Sequence, residues 1–137
     1  MQYTIERSLS LSNPDIDFLS QQINQETPAF GSAYPFGFFV RDDQNSIIAG
    51  CNGSVVFGVI YSDQLWVHSD YRKQGYARKL MESVHDYGRE VGCTMATVQT
   101  MDFQNARLFY ENMGYVCDFE RPGYAKGSKC LFLKKYL

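Results

Sequence analysis

The chain has 137 residues, 45% of them hydrophobic and 20% charged, with a formal net charge of −2. That is enough for one domain with a real core and far from the strongly basic balance of a nucleic-acid binder. No stretch approaches the roughly 20 apolar residues of a membrane span, and the first residues carry no apolar signal run. The four cysteines form no Cys-x-x-Cys pair and only two histidines are present, which argues against a zinc site and for a reducing, cytoplasmic setting.

In chain order, residues 3–8 alternate as a first strand. Asn13-Pro14 reads as a helix start, a capping residue followed by proline. Ile16, Leu19 and Ile23 then recur at helical spacing, so a helix is expected over 15–25. Residues 27–36 carry Pro28, Gly31 and Pro35 among Phe30, Tyr34 and Phe36, and read as a covering loop. A short strand follows over 37–41, turn chemistry over 42–45, and a strand over 47–51. Asn52-Gly53 is either a hairpin turn or a bulge. Strand composition resumes over 55–60 and again over 64–67.

Ala77, Leu80, Met81, Val84, Tyr87 and Val91 fall on one helical face, giving a helix over 77–91 that Gly92 closes. A β-branched strand is expected over 93–100 and a second amphipathic helix over 104–113, ended by Gly114. Late strands over 115–119 and 129–133 flank Pro122-Gly123. The order is β-α-β-β-β-α-β-α-β-β, without repeats or an internal boundary, so residues 1–137 read as a single domain. Its strand-helix-strand unit at 64–100 implies two parallel neighbours in a mixed α/β sheet.

The chemistry concentrates at Arg72-Lys73-Gln74-Gly75-Tyr76-Ala77, between a strand and a helix. The first turn of a helix offers N–H groups without partners, and the helix dipole adds partial positive charge there. Gly75 tolerates positive φ and lets backbone approach a ligand, Ala77 stays small, and Arg72 and Lys73 add charge. Such a turn is either an anion cradle or an ordinary basic turn before a helix. With Arg78 and Lys79, the local basic cluster suits a small polyanion.

The spacing Arg72-x-x-Gly75-x-Ala77 resembles the pyrophosphate motif of the GNAT superfamily of acetyl-CoA-dependent N-acetyltransferases. Ala106-Arg107-Leu108-Phe109-Tyr110, closing at Gly114-Tyr115, resembles that family's second signature, one helix and one strand further on. The likeness extends from Leu65-Trp66-Val67 to Leu133. It takes in Thr100-Met101-Asp102-Phe103-Gln104 and continues to Lys135-Tyr136-Leu137, while the first 60 residues share little of it. The resemblance implies a GNAT-like mixed sheet flanked by helices and direct acetyl transfer from acetyl-CoA to a primary amine of a small molecule or peptide, with no metal. A non-catalytic coenzyme A-binding or interaction module on the same fold is the alternative.

By the same resemblance, backbone N–H groups from Lys73 to Arg78, Gln74 and Tyr76 included, hold the pyrophosphate. Val67 offers backbone bonds to the pantetheine arm, and a backbone N–H near Val67 is the candidate partner of the oxyanion. Tyr110 stands where the family places the general acid for the leaving thiolate; its other reading is a core aromatic. Many members carry an asparagine seven residues before that tyrosine. Here that position is Phe103; the amide of either Gln104 or Asn105 could substitute after a small register change, and Asn105 is the candidate. An alkyl amine, with a pKa of about 10.4, must lose a proton. Asp63 fits as the base by position and equally as a surface turn residue; His68 is the other titratable candidate. Phe30, Tyr34, Phe36, Phe38 and Tyr124 are the candidate aromatic wall around the amine, with core sealing as the second reading for Phe36 and Phe38. Dimers are common in the family, and no sequence feature demands one.

Overall fold

The computed structural model describes residues 3–137. Its elements are α1 (Asn13–Glu26), β1 (Ala33–Arg41), β2 (Ile47–Val56), β3 (Val59–Val67), α2 (Tyr76–Glu90), β4 (Met95–Met101), α3 (Arg107–Asn112), β5 (Val116–Arg121) and β6 (Cys130–Tyr136). The six strands form one sheet in the order β1-β2-β3-β4-β6-β5. All neighbours are antiparallel except β3 and β4, which α2 joins as parallel partners. The mixed α/β sheet expected from the sequence is therefore present. Among the described residues, no helix is long and apolar enough to cross a membrane.

The core lies between the sheet and α2. Leu80, Met81, Val84, His85 and Gly88 of α2 are buried, and they pack with Ile60, Ala96, Val98, Tyr115 and Leu133. Phe36 and Phe38 extend this layer against Tyr87, with ring centroids 6.1 and 6.0 Å away.

Several sequence expectations change. Residues 3–8 form no strand; they are exposed and irregular, because alternation without a paired ladder does not repay the ordering of the backbone. The α1 cap is Ser12, whose hydroxyl accepts from the Asp15 N–H at 3.4 Å, so Asn13 already lies inside the helix. The covering loop is shorter than expected: β1 begins at Ala33 and absorbs Pro35, which an edge strand tolerates. The 55–60 segment is broken by the two-residue turn Phe57-Gly58, both at positive φ, as a tight hairpin requires. The 104–113 helix is cut short. A helical turn at Asp102–Gln104 ends at Asn105 in the left-handed region (φ 57°), and α3 keeps only six residues.

Asn52-Gly53 marks a bulge. Gly53 faces Ser62 and Asn52 faces Gln64, leaving Asp63 as the extra residue of β3. A Cβ on Gly53 would stand 1.8 Å from the Tyr61 carbonyl oxygen, so only glycine permits this approach. The extra residue changes the phase of β3. Ile60 and Ser62 are buried before the bulge, and Leu65 and Val67 pack on the core after it.

Candidate active site

Parallel pairing between β3 and β4 ends at Ser62 and Val98, although β3 runs on to Val67 and β4 to Met101. Beyond that point the strands part. The His68 N–H donates to the Ile48 carbonyl at 2.8 Å. By antiparallel alternation Trp66 is then bonded toward β2, while the polar backbone groups of Leu65 and Val67 face the gap. The Val67 carbonyl is already taken, accepting from Arg72 Nε at 2.8 Å. Its N–H is the group left for a ligand at that end of the strand.

A cleft of about 570 Å³ fills the gap, bordered by Asp63, Gln64, Trp66, Thr100, Phe109 and Tyr110. That is the volume range of small-molecule sites. Tyr110 is only 7% exposed. Burial, with the neighbouring Cys51 thiol adding to it, pushes its phenol up to about 12. Burial likewise pushes the Cys51 thiol up to about 11, so both groups stay protonated at neutral pH. Asp63 is exposed on the cleft wall and accepts from the Tyr61 hydroxyl at 3.3 Å.

A second hollow of about 230 Å³ opens at the start of α2. Val67, Arg72, Lys73, Gly75, Tyr76, Ala77 and Arg78 border it, together with Phe109. Phe109 thus forms part of the wall of both hollows. Lys73 and Gly75 both adopt left-handed backbone, with φ 61° and 91°, which folds the turn back on the helix end. The first helical bond runs from Lys79 N–H to the Gly75 carbonyl at 3.0 Å. The N–H groups of Tyr76, Ala77 and Arg78 therefore have no acceptor inside the helix.

Seven of the sequence-predicted cradle residues thus gather around one hollow, and Tyr110 and Asp63 share the adjoining cleft. Gln74 does not border the hollow; its side-chain amide donates to the Asp70 carbonyl at 3.3 Å. The Arg72 side chain ties the turn to the end of β3, a role its charge alone did not suggest. The Arg78 guanidinium lies 3.8 Å from Glu82 along the helix. Asn105 is exposed at its left-handed corner and borders neither hollow. Gln104 does reach the cleft, but its side-chain oxygen is held by the Met101 N–H at 2.8 Å and by the Thr100 hydroxyl at 3.2 Å. His68 caps the turn after β3, accepting from the Asp70 N–H at 3.0 Å.

None of the five aromatics of the expected wall borders the cleft. Phe36 and Phe38 belong to the core, and Phe30, Tyr34 and Tyr124 lie elsewhere. Phe39 and Trp66 line it instead. The signal was in the sequence: neighbouring strand residues point to opposite faces, so placing Phe38 in the core sends Phe39 outward.

The match to known proteins agrees with this geometry. Residues 5–115 fit the model of the acetyltransferase (GNAT) family. A blasticidin-S acetyltransferase of Streptomyces morookaense is 31% identical over 103 residues, which is 74% of this chain and 75% of that protein. An acetyltransferase of Agrobacterium fabrum is 34% identical over 76 residues, and the match spans 56% of this chain but 55% of that relative's length. The crystal structure of an acetyltransferase from Bacillus cereus superposes with a TM-score of 0.73 at 21% identity, covering 98% of both chains. The chain belongs to the GNAT acetyltransferase family.

Proposed function

We propose that this protein transfers an acetyl group from acetyl-CoA to a primary amine, directly and within the β3–β4 cleft. The observation that carries this reading is that the two hollows adjoin at Phe109, which walls both. Unpaired N–H groups at the α2 start open beside Val67, and across Phe109 lies the protonated phenol of Tyr110. Bound acetyl-CoA supplies an activated acyl thioester.

The residues present fit that molecule. The N–H groups of Tyr76, Ala77 and Arg78 are an anion site for its pyrophosphate, with Lys73 and Arg78 adding charge at the rim. The open edge of β3 at Leu65 offers strand-like bonds to an extended amide arm, which leaves the Val67 N–H free for the reacting carbonyl. Tyr110 holds its proton at neutral pH and gives it to the departing sulfur as the thioester C–S bond breaks and the amide C–N bond forms. Asp63 accepts the proton that the amine sheds. The Val67 N–H stabilises the developing oxyanion.

Thermal melting and thiol release test this. Acetyl-CoA raises the Tm if the cradle binds it, and Gly75→Val removes that shift by denying the left-handed φ. Tyr110→Phe keeps the shift and lowers turnover by about a hundredfold or more. The phenol accounts for no protein hydrogen bond among the described residues, so this variant costs the fold little. A Tm shift without thiol release across a panel of amines would reassign the protein as a coenzyme-binding module.

A further inference from the structure

The outer face of the sheet beside the cleft has an unusual row. Phe39, Gly50 and Trp66 lie opposite one another across β1, β2 and β3, and the next row is Gly37, Asn52 and Gln64. A Cβ on Gly50 would stand 2.7 Å from Cδ1 of Phe39, and one on Gly37 would stand 2.8 Å from its Cε2. The Phe39 ring therefore lies across two glycines, flat on the sheet, where any larger residue would lift it. Arg41, whose guanidinium is 5.8 Å from the ring centroid and is itself bonded to the Asn45 carbonyl at 3.2 Å, holds it from one side. The ring remains 53% exposed, and Trp66 across the glycine is 48% exposed.

We infer that Phe39 and Trp66 form a stacking subsite that selects primary amines carried on a flat aromatic or heteroaromatic ring. This rests on the acetyl-transfer reading above. Because the Phe39 ring already covers Gly37 and part of Gly50, a ligand ring rests on its outward face at the 4.5–7 Å that aromatic pairs favour, with Trp66 at the far side of Gly50. Among the described residues Asp63 carries the one carboxyl group on the cleft wall, and it is the partner for the amine end of such a ligand. Asn52 and Gln64 bond each other at 3.0 Å beside the row, giving a polar border to a flat apolar seat.

The test compares benzylamine and histamine with cyclohexylmethylamine, which has benzylamine's charge and size but a puckered ring. The expected result is a preference for the flat amines of roughly threefold to tenfold in kcat/KM, carried by KM. Phe39→Leu and Gly50→Val erase the preference, Phe39→Tyr keeps it, and all three retain the acetyl-CoA Tm shift. Trp66 is the only tryptophan, so benzylamine alone, without acetyl-CoA, changes its emission. Equal kcat/KM for flat and puckered amines, or a preference that survives Phe39→Leu, overturns the subsite and leaves acetyl transfer standing. If no amine releases thiol, the transfer reading fails, and an emission unchanged by benzylamine then overturns the stacking subsite independently.

Discussion

The two long helices are nearly equal in length and opposite in how they are held. α2 has 15 residues and buries five of them. α1 has 14 and buries none, leaving Ile16, Phe18, Leu19 and Ile23 exposed. Both carry apolar residues at helical spacing, so periodicity reports the conformation of a segment and says nothing of whether a partner is waiting for it. α1 is tethered by polar bonds instead: the Asn24 amide donates to the Ala33 carbonyl at 2.9 Å and accepts from the Ala33 N–H at 2.8 Å. The proposed coenzyme cradle sits on the start of α2, the helix that the core fixes.

This contrast can be broken by mutation. Met81→Ala, at a fully buried position of α2, is expected to cost about 2–5 kcal/mol in denaturant unfolding. A smaller cost would mean that α2 is no better anchored than α1.

Acid should also act through α2. His85 is buried against Tyr115, with 2.8 Å between Nε2 and the hydroxyl. Burial, then Lys135 and Arg89, hold its pKa down to about 4, with Asp86 opposing. The unfolded chain binds a proton through its ordinary value near 6.5, while the folded chain resists until about 4. The stability from this neutral imidazole is therefore complete above pH 6.5 and is lost as pH falls toward 4, by about 3 kcal/mol. His85→Gln should flatten that slope in urea unfolding measured from pH 7 to pH 4.

Asn24→Ala should cost about 1–2 kcal/mol and raise amide hydrogen exchange across α1 while α2 stays protected. Smallest of all, Leu19→Ser should change stability by no more than about 0.5 kcal/mol. A loss comparable to that of Met81→Ala would show that α1 has a partner in solution.

What the sequence disclosed follows the same division. The hollow at the α2 start was legible because a turn and a helix start are local: Gly75, Ala77 and the α2 face lie within a few residues of one another. The parallel β3–β4 pair followed from the helix between them. Residues 3–8 had strand propensity without a ladder, a deficit that no single segment can display. Asn105 looked like a spare amide, whereas it supplies the left-handed residue between a turn and α3. Phe39 and Trp66 were hidden because their shared row depends on the pairing of three strands and on a bulge in one of them. Register is a property of neighbours.

That bulge has a consequence for how the chain can vary. A residue gained or lost in the Phe57-Gly58 turn reshapes only a surface tip. The same change between Ile60 and Leu65 would invert the remainder of β3, turning Trp66 inward and presenting Leu65 and Val67 to solvent. It would also exchange the backbone groups aimed at the gap for those committed to β2. Length there is counted in single residues, so an indel at Asp63 should be far more damaging than almost any substitution at that position.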